Sequence, residues 1–346
     1  MNPTLVMPPL SALYGAVIRA RLAAYSRGLL SATHLEAPVI SVGNLTVGGS
    51  GKTPLVEETC RILAAEGRRA CVLTRGYRRE SPNSRVLVSD GKSLHANEKE
   101  SGDEPFLLAK HLLGLAIVIS DPNRAAAGKW AIQEFGVDAF VLDDGFQHLQ
   151  LGRDLNILVI DASDPWGGNQ LLPLGRLREP LSGMKRADCL IITRADECNN
   201  VADLRSELED LIAHRPVLTS RMKPVALKTI AGQTASLKDI PQPIAAFCGV
   251  GNPNSFFRII KSLGIVPVAT RPFADHHRYS QNDIDLVVGE ARKAGALSLI
   301  TTAKDAVKLR NLSFLLPCYV QEIRIELEDD SRFLGLLREA LREKGQ

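Results

Sequence analysis

Paired cysteines at metal-ligand spacing are absent from this chain. Its six cysteines (Cys60, Cys71, Cys189, Cys198, Cys248 and Cys318) are scattered. No CxxC pair occurs, so neither a disulfide framework nor a zinc site is indicated, and such thiols read as small buried hydrophobes in a reducing compartment. Charge of one sign is not in excess either, with 42 Lys and Arg against 39 Asp and Glu and a formal net charge of +3. That balance argues against a general nucleic-acid binder, which would show a concentrated basic face. No unbroken apolar stretch is long enough to span a bilayer. A signal-peptide pattern is missing, because the early basic residues follow the apolar stretch instead of preceding it. Low-complexity tracts and close repeats do not occur. What remains is the composition of a folded globular protein, 45% hydrophobic and 23% charged, in 346 residues that allow two domains of ordinary size.

The strongest local signal is Val39-Ile-Ser-Val-Gly-Asn-Leu-Thr-Val-Gly-Gly-Ser-Gly-Lys-Thr-Pro54. Val39 to Val42 is a β-branched apolar run and reads as a buried strand. Gly48, Gly49 and Gly51 around Ser50 let the backbone turn tightly so that N–H groups converge. Lys52 adds a mobile cation, Thr53 a hydroxyl, and Pro54 suits an early helical position. Strand, glycine turn and helix N-terminus make a phosphate cradle with the Thr53 hydroxyl placed to ligate Mg²⁺. Thr46 stands where the general phosphate loop has its first glycine. The plainer alternative is a chance Gly-Lys-Thr in a surface turn.

Before this loop, Leu10, Leu13, Tyr14, Val17 and Ile18 recur at helical spacing and predict a helix from about Ser11 to Leu30. With Arg19, Arg21 and Arg27 it can lie in a membrane interface, or it can simply dock on the body of the protein.

After the loop, strands alternate with helices, which predicts an α/β fold with a largely parallel sheet covered on both faces. The expected elements include a helix at Leu55 to Glu66, a strand at Ala70 to Thr74, a helix at Phe106 to Leu113 and strands at Leu115 to Ser120 and Ala139 to Leu142. Several of these carry polar residues to their ends. Arg75-Gly-Tyr-Arg-Arg79 can bind an anion or be a solvated turn. Asp103 and Glu104 can cap a helix or present a reactive carboxylate. Arg124 follows a strand's carboxyl end, the ligand side of an open α/β sheet. Asp143 lies where a Walker B aspartate would hold Mg²⁺, with Asp144 beside it to organise metal or substrate; a plain turn is the alternative. Trp166 to Pro180 reads as an ordered substrate-side loop with Asn169, Arg176, Arg178 and Glu179 as candidate polar contacts. Val217 to Ser220 and Pro224 to Leu227 can run between domains, and Met222 to Pro243 is the best boundary zone. Beyond it, strands are expected at Ile244 to Gly249 and Val266 to Ala269. The pair His276 and His277, flanked by Asp275 and Arg278, suits an acid–histidine interaction across a cleft better than a metal site, or else surface-turn chemistry.

Taken in order, these motifs resemble the tetraacyldisaccharide 4'-kinase family. The resemblance rests on Gly43 to Pro54, Thr74-Arg-Gly-Tyr77, Gly102-Asp-Glu-Pro105, Asp121-Pro-Asn-Arg124, Asp143-Asp-Gly-Phe-Gln-His148 and Leu171-Leu-Pro. It continues through Leu177-Arg-Glu-Pro180, Phe247-Cys-Gly249, Phe273-Ala-Asp-His276 and Thr301-Thr-Ala-Lys-Asp305, and so covers most of the chain. Thr46 is itself similar to the family, while Arg78 and Arg176 replace a glycine and a proline of its motifs. The resemblance implies transfer of the γ-phosphate of ATP, with Mg²⁺, to the 4'-hydroxyl of an acylated disaccharide 1-phosphate lipid, giving the 1,4'-bisphosphate of lipid A biosynthesis. It implies a P-loop NTPase-like domain with a smaller second α/β domain, at the cytoplasmic face of the bacterial inner membrane. The expected division is an interfacial N-terminal helix in 1–36, a kinase domain in 37–225, a second domain in 226–330 and a C-terminal helix in 331–346. By the same resemblance, Thr46, Val47, Gly48, Gly49, Ser50, Gly51, Lys52 and Thr53 hold the nucleotide, and Thr53, Asp143 and Asp144 the metal. Asp103 is the expected base with His276 its partner ahead of His277. Asn44, Arg75, Arg124, His148, Arg178 and Glu179 are expected at the lipid head group or nucleotide. A nucleotide-controlled membrane adaptor ATPase is the alternative, needing Lys52 and Asp143 but no base beside a sugar hydroxyl.

Overall fold

The computed structural model describes residues 3–77, 79–212 and 215–342; Arg78 lies outside them. The chain begins with α1 (Pro3–Ser26), which starts earlier than expected and runs through Pro8 and Pro9. Then follow β1 (Val39–Gly43), α2 (Lys52–Ala65), β2 (Ala70–Thr74), β3 (Val86–Ser89), α3 (Glu98–Ser101), α4 (Asp103–His111) and β4 (Ala116–Ser120). Next are α5 (Arg124–Phe135), β5 (Ala139–Asp143), β6 (Leu155–Asp161), β7 (Cys189–Thr193), α6 (Val201–Leu211), β8 (Val217–Thr229) and β9 (Thr234–Ala235). The last part holds β10 (Ile244–Cys248), α7 (Pro253–Ser262), β11 (Ala269–Pro272), α8 (Gln281–Lys293), β12 (Ser298–Thr302), α9 (Ala303–Ala306), β13 (Cys318–Leu327) and α10 (Asp330–Arg342).

All the strands join one sheet, in the order β11-β10-β12-β13-β8-β7-β6-β1-β5-β2-β4-β3, with β9 on β8. Most neighbours are parallel; β3 with β4, β8 with β13 and β8 with β9 are antiparallel. Every residue of β1, β2, β4, β5 and β7 is buried. That is why these strands read as continuous apolar runs and not as alternating ones. Helices cover both faces. Leu55, Val56, Cys60 and Leu63 of α2 pack on one side, and Ala127 and Ala131 of α5 on the other.

Two expectations change. Val217 to Ser220 and Pro224 to Leu227, read as pieces running between domains, are one 13-residue strand. Its start pairs with β7, Leu190 opposite Val217, and its length pairs with β13 from Ser220–Leu327 to Thr229–Tyr319. Pro224 lies within this strand because the register shifts beside it, between Glu322 and Ile323, and a bulge is a place where a strand tolerates proline. The strand expected at Val266 to Ala269 forms at Ala269–Pro272 instead. Val266 is 75% exposed, and it is the register with β10, Ala245 opposite Ala269, that decides.

The C-terminal helix returns to the first half. Phe333, Leu337, Ala340 and Leu341 share a core with Leu63 and Ile157, and Arg338 pairs with Glu66. All six cysteines are free, and five are buried. Among the described residues no helix is long and apolar enough to cross a membrane.

Candidate active site at the phosphate loop

Buried strand β1 delivers the chain at Gly43 into a loop whose glycines take conformations closed to other residues: φ is +117° at Gly48 and +85° at Gly51. A Cβ on Gly51 would also lie 2.6 Å from Met222 Cε. Gly51 is the N-cap of α2, and no side chain satisfies the first N–H groups of that helix. They are left to an anion, which the helix dipole favours. Ser50 is buried and Val47 exposed. Arg176 clamps Val47, donating from Nε and Nη2 to its carbonyl at 3.0 and 2.8 Å, and pairs with Asp164 at 2.6 Å. Thr46 bridges to Leu177 and accepts from Asn44 Nδ2 at 3.2 Å. Lys52 Nζ donates to Asn44 Oδ1 at 2.9 Å and lies 3.5 Å from Asp144 Oδ1.

Asp143 ends β5, opposite Val42 of β1, so the sheet sets it beside the loop. Its carboxylate accepts from Thr74 Oγ1 at 2.9 Å. Burial pushes the carboxyl up to about 6, aided by the charges of Glu104 and Asp144 and opposed by the Thr74 bond and Lys52. Asp144 behaves oppositely. Burial works to raise it, but Lys52 and Arg178 hold it far below the usual carboxylate range. Among the described residues no three His, Cys, Asp or Glu side chains gather as a metal cluster. A cation here would draw on Thr53 and Asp143 together with oxygens of a bound phosphate.

Across the cleft, Asp103 opens α4 and His276 sits in the loop after β11. The structure joins them: His276 Nδ1 is 2.9 Å from Asp103 Oδ2. His276 is held at φ +58°, a conformation sparsely used outside glycine. Burial tends to raise the Asp103 carboxyl, yet its hydrogen bond with His276 and the nearby charges of Lys304 and Lys308 hold it at about 2. His277 turns away, stacked on Phe273 and 3.3 Å from Asp283. The cleft between loop and C-terminal half is lined by residues 48–54, Glu104, Arg194, Asn252 and Lys304, and runs into an apolar end of Leu107, Met222, Phe256, Ile259 and Ile323. Gly251 abuts the loop so closely that a Cβ there would lie 2.5 Å from Gly49 N. Asp103 and His276 line an adjoining cavity with Tyr77, Lys99 and Arg278.

Of the residues expected at the acceptor, Arg178 grips Asp144 and the Asn44 carbonyl, the latter at 2.9 Å. Buried Arg124 donates to the Asp143 carbonyl at 3.2 Å. His148 lies among Arg124, Arg153, Arg21 and Arg75; burial first, then these cations, push its imidazole down to about 3. Glu179 is buried behind them, accepting from Gln147 and Arg186 at 2.7 Å. Arg75 is exposed. On the same side α1 docks through Ser11 Oγ, donating to the Leu171 carbonyl at 2.9 Å, and Tyr14 Oη, donating to the Arg178 carbonyl at 2.7 Å. Its other face leaves Met7, Leu10, Leu13 and Val17 exposed.

This arrangement has relatives. Residues 3–342 match the family model described as tetraacyldisaccharide-1-P 4'-kinase, LpxK. The chain belongs to this family. It is 42% identical over 300 residues to the tetraacyldisaccharide 4'-kinase of Anaeromyxobacter dehalogenans strain 2CP-C, covering 86% of this chain and 79% of that one. It is 39% identical over 340 residues to the enzyme of that name from Geobacter sulfurreducens, covering 96% and 92%. Among solved structures, the "apo" form LpxK from Aquifex aeolicus in complex with ATP superposes with a TM-score of 0.77 at 33% identity, covering 96% of this chain and 98% of that one.

Two residues at the 4'-kinase site escape sequence reasoning. Lys304 donates to Glu104 Oε1 at 2.9 Å and to Asp275 Oδ1 at 3.2 Å, joining the two halves beside His276. The sequence marks it by its place after a strand and within the Thr301 to Asp305 motif of the family resemblance, but assigns it no role. Arg194 directly follows β7, donating to the Gly49 carbonyl at 2.8 Å and to Ser255 Oγ at 3.0 Å, and pairing with Asp161. Both make contacts far along the chain, which no local pattern encodes.

Proposed function

We propose that the chain transfers the γ-phosphate of ATP to the 4'-hydroxyl of tetraacyldisaccharide 1-phosphate, the 4'-phosphorylation step of lipid A biosynthesis. The observation that carries this reading is the Asp103–His276 contact of 2.9 Å beside a cleft floored by the phosphate loop. A nucleotide switch needs the loop and Asp143 but no carboxylate base, whereas a sugar hydroxyl is a weak nucleophile and gains from one. The triphosphate lies along the α2 N-terminus and Lys52, and its base at the apolar end of the cleft. Asp103 accepts the hydroxyl proton as the acceptor oxygen bonds to the γ-phosphorus and ADP departs. Lys52 and the loop amides stabilise charge on the phosphoryl oxygens. The hard oxygens of Thr53 and Asp143 fit Mg²⁺, and the raised Asp143 carboxyl marks a buried acid that lacks a full counter-charge. When bound, the ion would neutralise phosphate charge. The exposed apolar face of α1 and the arginines behind it suit a lipid acceptor taken at a membrane interface, which we place at the cytoplasmic face of the inner membrane.

The test is ATP-dependent conversion of the 1-phosphate lipid to its 1,4'-bisphosphate by wild type and Asp103→Asn. Loss of turnover by about 10²-fold or more at unchanged ATP affinity is expected. Turnover near wild type in D103N would sink the role of Asp103, and no phosphorylated lipid from wild type would sink the function.

A further inference from the structure

Lys304 meets the imidazole of His276 from the side away from Asp103. Its Nζ lies 3.3 Å from Nε2, while Nδ1 lies 2.9 Å from Asp103 Oδ2. The lysine stands on α9, directly after β12, with a side chain only 17% exposed. Burial alone would lower its pKa, but Glu104 and Asp275, with Asp103 behind them, raise it above the ordinary lysine value. Lys304 is therefore an ammonium, with donors and no lone pair. The ring nitrogen facing it has to supply the lone pair. The one ring proton of a neutral imidazole then sits on Nδ1 and is donated to Asp103.

We infer that Lys304 is a positioning residue that fixes His276 as the Nδ1–H tautomer, so that Asp103, and not His276, takes up the proton of the acceptor hydroxyl. The other charged groups around the ring agree with this. Glu104 Oε1 and Asp275 Oδ2 each lie 3.9 Å from Nε2, farther than Lys304 Nζ, and both carboxylates already bind the ammonium. Tyr77 lies tilted with its ring centre 5.9 Å away, and Arg278 lines the cavity beside the pair. The proton account follows. The acceptor O–H bond breaks and its proton moves to Asp103; the new O–P bond forms as the bond between the γ-phosphorus and the bridging oxygen of ADP breaks. His276 keeps its Nδ1 proton throughout and orients the carboxylate. With Asp103 and Glu104 from one half and Asp275, His276 and Lys304 from the other, the base is set only where the halves meet.

The inference rests on the reading of Asp103 as base, and its test separates the two. Ring ¹⁵N NMR of the full chain at about pH 7 assigns His276 among the seven histidines by comparison with His276→Gln. The expected signature is a protonated Nδ1 and a lone-pair Nε2 in wild type, preserved in Lys304→Arg and replaced by mixed tautomers in Lys304→Met. K304M should lower kcat about 10-fold or more with KM for ATP unchanged, and K304R should recover most of it. A wild-type ring protonated at Nε2 overturns the inference. So does K304M with a raised KM for ATP and an intact kcat, which would make Lys304 a phosphate contact. If D103N keeps turnover, the base reading fails whatever the tautomer. If D103N is inactive but His276 is not Nδ1–H, only the present inference fails.

Discussion

Arg178 holds Asp144 in a two-point ion pair, Nη1 donating to Oδ2 at 2.6 Å and Nη2 to Oδ1 at 2.8 Å. Asp144 needs this fixed fork because its backbone sits at φ +51° beside Lys52. A lysine supplies charge without the planar fork. Arg178→Lys should therefore lower kcat/KM by about 10-fold or more while the fold is kept, because lysine retains the positive charge beside Asp144 and loses only the fork. Steady-state kinetics beside calorimetry checks this, and unchanged kinetics would show that the fork is dispensable.

His148 makes stability depend on pH in a definite direction. Its imidazole titrates near 6.5 in an unfolded chain but only at about 3 in the fold, pushed down by burial and by four arginines. Between those values the unfolded state binds more protons, so stability is lost as pH falls from 6.5 toward 3. His148→Asn should flatten that slope while leaving stability near pH 8 little changed. Urea midpoints measured at about pH 7.5, 6 and 5 decide it; parallel slopes for both proteins would refute the assignment.

Gly51 combines a left-handed φ of +85° with a position where a Cβ would lie 2.6 Å from Met222 and 3.2 Å from Thr193. Gly51→Ala should cost about 1–2 kcal/mol from the backbone alone. It should also turn the N–H groups at the start of α2 off target, weakening nucleotide binding at least about 10-fold. Titration calorimetry with ATP reads this directly, and wild-type affinity in a folded G51A would contradict it.

The outward face of α1 makes a separate prediction. Ser11 and Tyr14 anchor the inner face, so Leu10→Glu with Leu13→Glu changes only exposed positions. Sedimentation with anionic vesicles should fall severalfold, while phosphorylation of a detergent-dispersed acceptor is largely kept. Equal sedimentation of variant and parent would reject this face as the membrane contact.

The sequence is most legible where function and local geometry coincide. Val39 to Pro54 predicts strand, turn and helix because glycine, lysine and proline act within a few residues of one another. Asp103 and His276 were paired only through the family resemblance, since nothing local ties residues 173 positions apart. The β8–β13 ribbon was missed for the same reason: its partners lie about a hundred residues apart, and Pro224 is a local sign of interruption that a distant bulge absorbs. Arg178 and Glu179 were expected at the head group or nucleotide. Their observed partners, Asn44 and Asp144 for one and Gln147 and Arg186 for the other, come from three separate segments.

The ribbon also has a mechanical meaning. Its lower end is welded to β7 and its upper end to β12, with the register shift between Glu322 and Ile323 in the middle. The two halves are thus mounted on a hydrogen-bonded leaf spring, and any change in the angle between them winds or unwinds this blade around its one irregular point. Lys304 directly follows β12, the strand on which this ribbon ends, so the ribbon ties its position to that of the sheet beneath the phosphate loop.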